Sequence, residues 1–282
     1  MRFDMSRAWR DATAMISANR EVMLIVAGVF FFLPSLASSL LMPATPAMVP
    51  QNRAPSEDIA QVLAEMESQL QAALPPSAMV ALLLAALVQA VGFIALLALL
   101  RDDRKPTVGE ALKTGVIGLL PYIGAQLLAG FAVALILILL VGIPAAAGLG
   151  AVAAIAILAA IPLFIYVMVK MSLVSPVIAI EKMTNPITIL KRSWALTKGN
   201  SVRLLGYYML LAVVFIVISM VLGMVVGLIT ALMGSGTALQ LVSGVFSGLI
   251  GAAFTMVFAG VMAAVHRQLA GPSAGNLEQT FG

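Results

Sequence analysis

Six apolar stretches alternate with short polar segments along this 282-residue chain. They cover about residues 22–42, 79–100, 115–141, 149–171, 204–232 and 241–265, each near or above the ~20 residues a helix needs to cross a hydrocarbon core. Pro34 is placed to bend the first, and Pro162 lies inside the fourth. The pattern predicts an all-α polytopic membrane protein with six transmembrane helices, its transmembrane domain spanning 21–270.

The segments between and before the spans have patterns of their own. Residues 1–20 place Met5, Trp9, Ala12 and Ile16 on one helical face and Arg7, Arg10 and Asp11 on the other, with Asn19 closing the helix. This reads as an interfacial amphipathic helix, a retained anchor with Trp9 at head-group depth. The insert 43–78 opens with Pro43, Pro46, Pro50 and Pro55. Its remainder predicts a second amphipathic helix over 57–74, with Ile59, Leu63, Met66 and Leu70 opposite Glu57, Gln61, Glu65 and Ser68. Such a helix suits the extra-cytoplasmic surface, as a cap over the bundle or a lid over a cavity.

Residues 172–203 form an elbow. Asn185 is placed to cap a helix, Pro186 fits its first position, and Gly199 can take the left-handed conformation that ends it. The helix therefore spans about Pro186 to Lys198. Ile187, Leu190 and Trp194 share one side. Ile189 and Leu196 lie nearly opposite, with Arg192 and Ser193 beside them. A helix apolar on two sides suits a place between other helices and the lipid interface. Short helices over 4–18, 107–114 and 186–198 each precede a hairpin of spans, the second marked by a capping-box pattern from Thr107 to Glu110. Three elbow-plus-hairpin units are thus predicted, followed by a disordered tail over 271–282.

Composition sharpens the class. With 62% hydrophobic residues, 10% charged and a mean hydropathy of +1.08, a soluble globular domain is excluded. Fifteen of the sixteen Lys and Arg fall at one set of span ends, and only Arg53 lies across the membrane. The positive-inside rule then places both termini and the elbow in the cytoplasm. The net charge of +4 is no nucleic-acid signature, because the bases lie beside apolar spans and not in one basic domain.

Candidate chemistry is sparse. Glu21, Lys170 and His266 sit at span ends, where Lys170 is expected to snorkel to the interface, so ion-coupled transport is disfavoured. The neutral groups Gln89, Tyr122, Gln126 and Tyr166 suit interhelical hydrogen bonds or, alternatively, an intramembrane binding site. Gly223-xxx-Gly227 and Gly244-xxx-Gly248 allow close helix approach within one chain or between two copies. A single histidine and no cysteine leave no ordinary zinc set and no thiol nucleophile. Ser235, between two glycines, lies at the opposite membrane face from His266. No catalytic residue, metal or cofactor is expected. In the elbow, Lys191, Arg192, Ser193, Trp194, Lys198 and Arg203 are candidates for holding lipid head groups or a protein partner. The alternative is topological charge on a packing helix.

The run Leu190-Lys191-Arg192-Ser193-Trp194-Ala195-Leu196-Thr197-Lys198-Gly199-Asn200, followed by Val202-Arg203-Leu204-Leu205-Gly206, resembles the signature of the membrane domain found with some bacterial glycerophosphoryl diester phosphodiesterases. Its Ser-x-x-Leu-x-x-Gly spacing falls on Ser193, Leu196 and Gly199. The resemblance extends to length and to six spans. It implies a bacterial inner-membrane module near lipid metabolism or envelope maintenance. It carries over no enzyme activity, since the soluble catalytic barrel of that family has no counterpart here. The resulting expectation is a non-enzymatic protein that binds or moves lipid-like molecules. The alternative is a scaffold or regulatory subunit, with membrane lipids, a protein partner or a second copy as its contacts.

Overall fold

The computed structural model describes residues 2–41, 76–101, 106–232 and 237–271. In chain order the helices are α1 (Met5–Ala18), α2 (Arg20–Ala27), α3 (Leu33–Leu41), α4 (Pro76–Leu99), α5 (Val108–Leu137), α6 (Ile143–Ala146), α7 (Gly150–Met171), α8 (Val174–Glu181), α9 (Pro186–Thr197), α10 (Ser201–Ala231) and α11 (Thr237–Ala270). Among the described residues, six stretches are long and apolar enough to cross a membrane: Arg20–Leu40, Met79–Leu99, Val108–Ala146, Gly150–Glu181, Ser201–Ala231 and Ala238–Ala270. The chain is an all-α, multi-pass membrane protein. The expected surface helix over 57–74, the tail from residue 272 and the turn holding Ser235 lie outside the described residues.

Local chemistry explains most boundaries. Asn185 Oδ1 accepts from the N–H groups of Ile187 (3.0 Å) and Thr188 (3.4 Å), Pro186 opens α9, and Gly199 takes φ +81°. The helix stops at Thr197, one residue short of expectation. The capping box forms as well: Thr107 Oγ1 accepts from Glu110 N–H and Glu110 Oε2 accepts from Thr107 N–H. It opens α5 itself, however. Residues 107–114 are the first turns of a membrane span, so separate elbow helices precede only the first and fifth spans.

Two π turns, Gly28–Phe32 and Ile138–Gly142, join α2 to α3 and α5 to α6. Each precedes a proline by two residues, Pro34 and Pro144. A proline has no N–H to donate, and its ring crowds the carbonyl four residues back. The wider turn relieves that crowding, with Leu33 N–H donating to Gly28 O and Ile143 N–H to Ile138 O. The helix thereby survives both prolines. The third span consequently runs on to Ala146, beyond the expected end at 141, and turns only at Gly148, whose φ is +75°.

α11 is the central post. It touches α1, α2, α3, α4, α8, α9 and α10. Glycines set its closest approaches: a Cβ on Gly248 would fall 2.8 Å from Phe32 Cδ2, and one on Gly260 would fall 2.6 Å from Ile16 Cδ1. α1 docks on α11 through Ala8 and Ala12, both buried, while Trp9 stays exposed. Its docking face is therefore centred on small residues and not on the tryptophan.

Burial is concentrated at one end, here called the elbow end. Its core comes from Phe3, Met23, residues 94–100 of the second span, all of α8 up to Ala179, Ile189 of α9, and residues 259–266 of α11. At the other end α5, α7 and α10 expose long apolar faces, including Phe131, Ile155, Leu158, Met220 and Leu228. Apolar surface facing acyl chains costs little, so nothing drives those halves together.

Candidate functional site

The elbow end gathers charged side chains into several neighbourhoods. The first is a carboxylate with two nitrogen donors, the three side chains coming from three helices. Glu181, the last residue of α8, lies 2.8 Å from His266 Nε2 of α11. It also accepts from Arg192 Nε of α9 at 2.9 Å and 3.1 Å through its two oxygens. An ionised carboxylate only accepts, so Nε2 carries the hydrogen in this contact. His266 is 3% exposed, whereas the Arg192 side chain keeps 40%. The arrangement fastens α8, α9 and α11 together.

α8 was not legible as a helix. Its eight residues, VSPVIAIE, have no polar face to reveal a helical period, because the segment is buried on all sides against α4, α5 and α9. Pro176 falls in its first turn, where the missing donor is harmless. Lys182 ends it in the left-handed conformation at φ 56°, ψ 32°, a geometry that favours glycine.

The second neighbourhood surrounds Lys170. Far from snorkelling, this side chain is 2% exposed. Its Nζ sits 5.4 Å from the Tyr166 ring centroid and 5.3 Å from that of Trp194, and the two rings meet edge to face at 5.8 Å. Cation–π attraction to both rings holds the ammonium there. Ser193 Oγ donates to the Lys170 carbonyl at 2.6 Å. That carbonyl belongs to the last turn of α7, where no following helical N–H remains to satisfy it. The elbow thus meets the end of the fourth span through a hydrogen bond, a ring contact and the cation–π contact of Lys170 with Trp194.

The elbow candidates therefore divide. Arg192 is engaged by Glu181, Ser193 is buried against Lys170, and Trp194 roofs the lysine while remaining 41% exposed. Lys191 and Lys198 are exposed, and Arg203 is half-buried in the first turn of α10. The buried stripe of α9 is Ile189, Ser193, Leu196 and Thr197. The other stripe, Ile187, Lys191, Trp194 and Lys198, faces outward. Of the two stripes expected from spacing, Ile189 and Leu196 are covered, whereas the other divides: Ile187 and Trp194 face outward and Leu190 packs against the core.

The four intramembrane candidates do not form a single hydrogen-bonded group. Gln126 Nε2 donates to Tyr122 OH at 3.4 Å along α5, a pair within one helix. Tyr166 on α7 belongs with Lys170 and Trp194. Gln89 lies on α4 two residues before Val91, whose carbonyl closely approaches Gly115 of α5. α9 packs on both α5 and α7. Of the two glycine pairs, Gly244 and Gly248 close on Ser39 and Phe32, whereas a Cβ on Gly223 or Gly227 would meet nothing within 4 Å.

A third cluster, absent from the sequence reading, clasps the N-terminus. Phe3 N–H donates to Asn200 Oδ1 at 3.0 Å, and its ring lies 5.5 Å from that of Tyr207. Asp4 N–H donates to Gln268 Oε1, and Gln268 Nε2 donates back to Asp4 O. Asp11 pairs with Arg267 at 3.1 Å. These partners lie about 200 and 260 residues apart in sequence.

The chain matches no protein-family model, no curated protein and no solved structure. Its chemistry is therefore read from its own side chains.

Proposed function

We propose that this protein is a non-enzymatic module of a bacterial inner membrane that binds lipid head groups at its elbow end, with that end and both termini facing the cytoplasm. The observation that carries this reading is the outward stripe of α9. Ile187, Lys191, Trp194 and Lys198 place apolar, basic and aromatic groups along one exposed line, the combination suited to an anionic membrane surface. α9 contains no acidic residue that would offset those bases. The long apolar faces of α5, α7 and α10, which run away from the elbow end, supply a surface for acyl chains. The resemblance of the elbow run to the glycerophosphodiesterase-associated membrane domain points the same way, toward lipid metabolism or envelope upkeep.

Native mass spectrometry of the protein released gently from its own membrane tests the reading. Lipid retained at fixed stoichiometry is expected. A lipid-free chain held by a second protein would overturn it in favour of a scaffold that recruits its partner through the elbow. Orientation is testable because the chain has no cysteine. A single Ser6→Cys is expected to react with an impermeant maleimide only after the inner membrane is opened. A single Asp58→Cys is expected to react in intact spheroplasts. The reverse pattern would invert the topology.

A further inference from the structure

The geometry points to Lys170 as the receptor for the phosphate of an anionic membrane phospholipid, with Trp194 as the movable wall of the site. This inference rests on the lipid-binding reading above and names the group that does the binding.

Lys170 as a residue is only 2% exposed, yet among the described residues its ammonium has no carboxylate within 4 Å and no hydrogen-bond acceptor. Its neighbours are the faces of Tyr166 and Trp194. Aromatic rings attract a cation, but they replace neither a counter-charge nor the three acceptors that an ammonium can engage. Covering such a group without an anion is costly. The same end of the molecule has a carboxylate, Glu181, but it is already taken by His266 and Arg192. An incoming anion would complete the set.

Position selects the kind of anion. Lys170 ends a membrane-spanning helix, and the tryptophan and tyrosine over it are residues that favour the head-group layer. Trp194 also belongs to the outward stripe of α9, three residues after Lys191 and four before Lys198, so the approach past the indole runs between two exposed bases. A phosphodiester on a two-chain lipid fits this setting. Its oxygens supply strong acceptors at head-group depth, its net charge suits the flanking lysines, and its chains lie along the exposed apolar faces of α7 and α10. A quaternary ammonium head group fits less well, because Lys170 already occupies the aromatic faces.

The two tryptophans of the chain make this measurable. In a Trp9→Phe chain, Trp194 is the sole indole, and its emission reports directly on the wall of the site. Titration of the full-length protein in neutral detergent with phosphatidylglycerol is expected to give a saturable change in Trp194 emission. Phosphatidylcholine should bind roughly tenfold more weakly, and Lys170→Met should weaken phosphatidylglycerol binding by a similar factor, about what loss of one charge-assisted contact produces. Lys170→Arg should restore most of it, and Lys191→Gln with Lys198→Gln should have a smaller effect.

Equal response to the two lipids overturns the inference even if Lys170→Met does not fold, since that comparison uses the native lysine. Unchanged phosphatidylglycerol binding in a folded Lys170→Met chain overturns it as well, while leaving lipid binding elsewhere on the elbow intact. Displacement of phosphatidylglycerol by millimolar inorganic phosphate would assign the site to a soluble anion and overturn the lipid. Absence of any lipid binding by the unmodified chain would remove the broader reading too.

Discussion

Glu181 shows how much one side chain can hold. Its carboxylate joins three helices, and the two donors on it are not equivalent. His266 is almost wholly covered, so losing its partner leaves a buried polar group unsatisfied, whereas Arg192 retains access to solvent and its ion pair is screened. Glu181→Ala, which removes the acceptor altogether, is therefore expected to destabilise the detergent-solubilised protein by roughly 2 kcal/mol. Arg192→Gln should cost below about 1 kcal/mol. Thermal melts of the two variants check the ordering, and equal losses would contradict it. Neither partner of Glu181 could be chosen from the sequence, since they stand 11 and 85 positions away and follow no shared pattern.

Among the elements, the glycine pairs on α10 and α11 carry the same sequence motif and opposite structural roles. On α11, Gly248 has the carbonyl of Phe32 3.2 Å from where a Cβ would stand, besides the ring at 2.8 Å. A backbone atom has little room to give way. Gly248→Ala should cost about 1–3 kcal/mol through overpacking. Gly223→Ala and Gly227→Ala should instead stabilise α10 by up to about 1 kcal/mol each, the usual helix-propensity gain. Melting curves separate the two cases. A loss at Gly227 would mean that α10 packs against something beyond its own chain and would favour a dimer. Spacing alone makes the two motifs equal; the neighbouring helix makes them different.

At the scale of the whole molecule, the N-terminal clasp decides whether the elbow end stays closed. Phe3 is buried against Tyr207 of α10, while Asp4 and Asp11 bond to the end of α11. Phe3→Ala is expected to cost about 3 kcal/mol by removing a large buried ring. Hydrogen exchange should then rise together in α1 and the first turns of α10, with the end of α7 unchanged because it is held separately by Ser193. A rise confined to residues 2–4 would show that the clasp carries no such load.

Helical class, six spans, the capping box at Thr107 and the cap at Asn185 were all determined by the chain itself. Each depends on residue types within one stretch, and a run of some twenty apolar residues has few alternatives. The covered positions Ile189 and Leu196 of α9 were present in its spacing for the same reason, while Leu190, expected beside Ile187 and Trp194, packs inward. Tertiary structure alone decided which stripe would be covered, that α8 would be a helix, that Lys170 would fold beneath Trp194 away from water, and that Glu181 would meet His266. Those outcomes depend on which distant surfaces come together. Inside a membrane the helices gain little by hiding apolar faces from one another, so close-fitting small residues and a few polar contacts settle the arrangement. Such contacts are specific pairs between remote positions, and no local pattern encodes them.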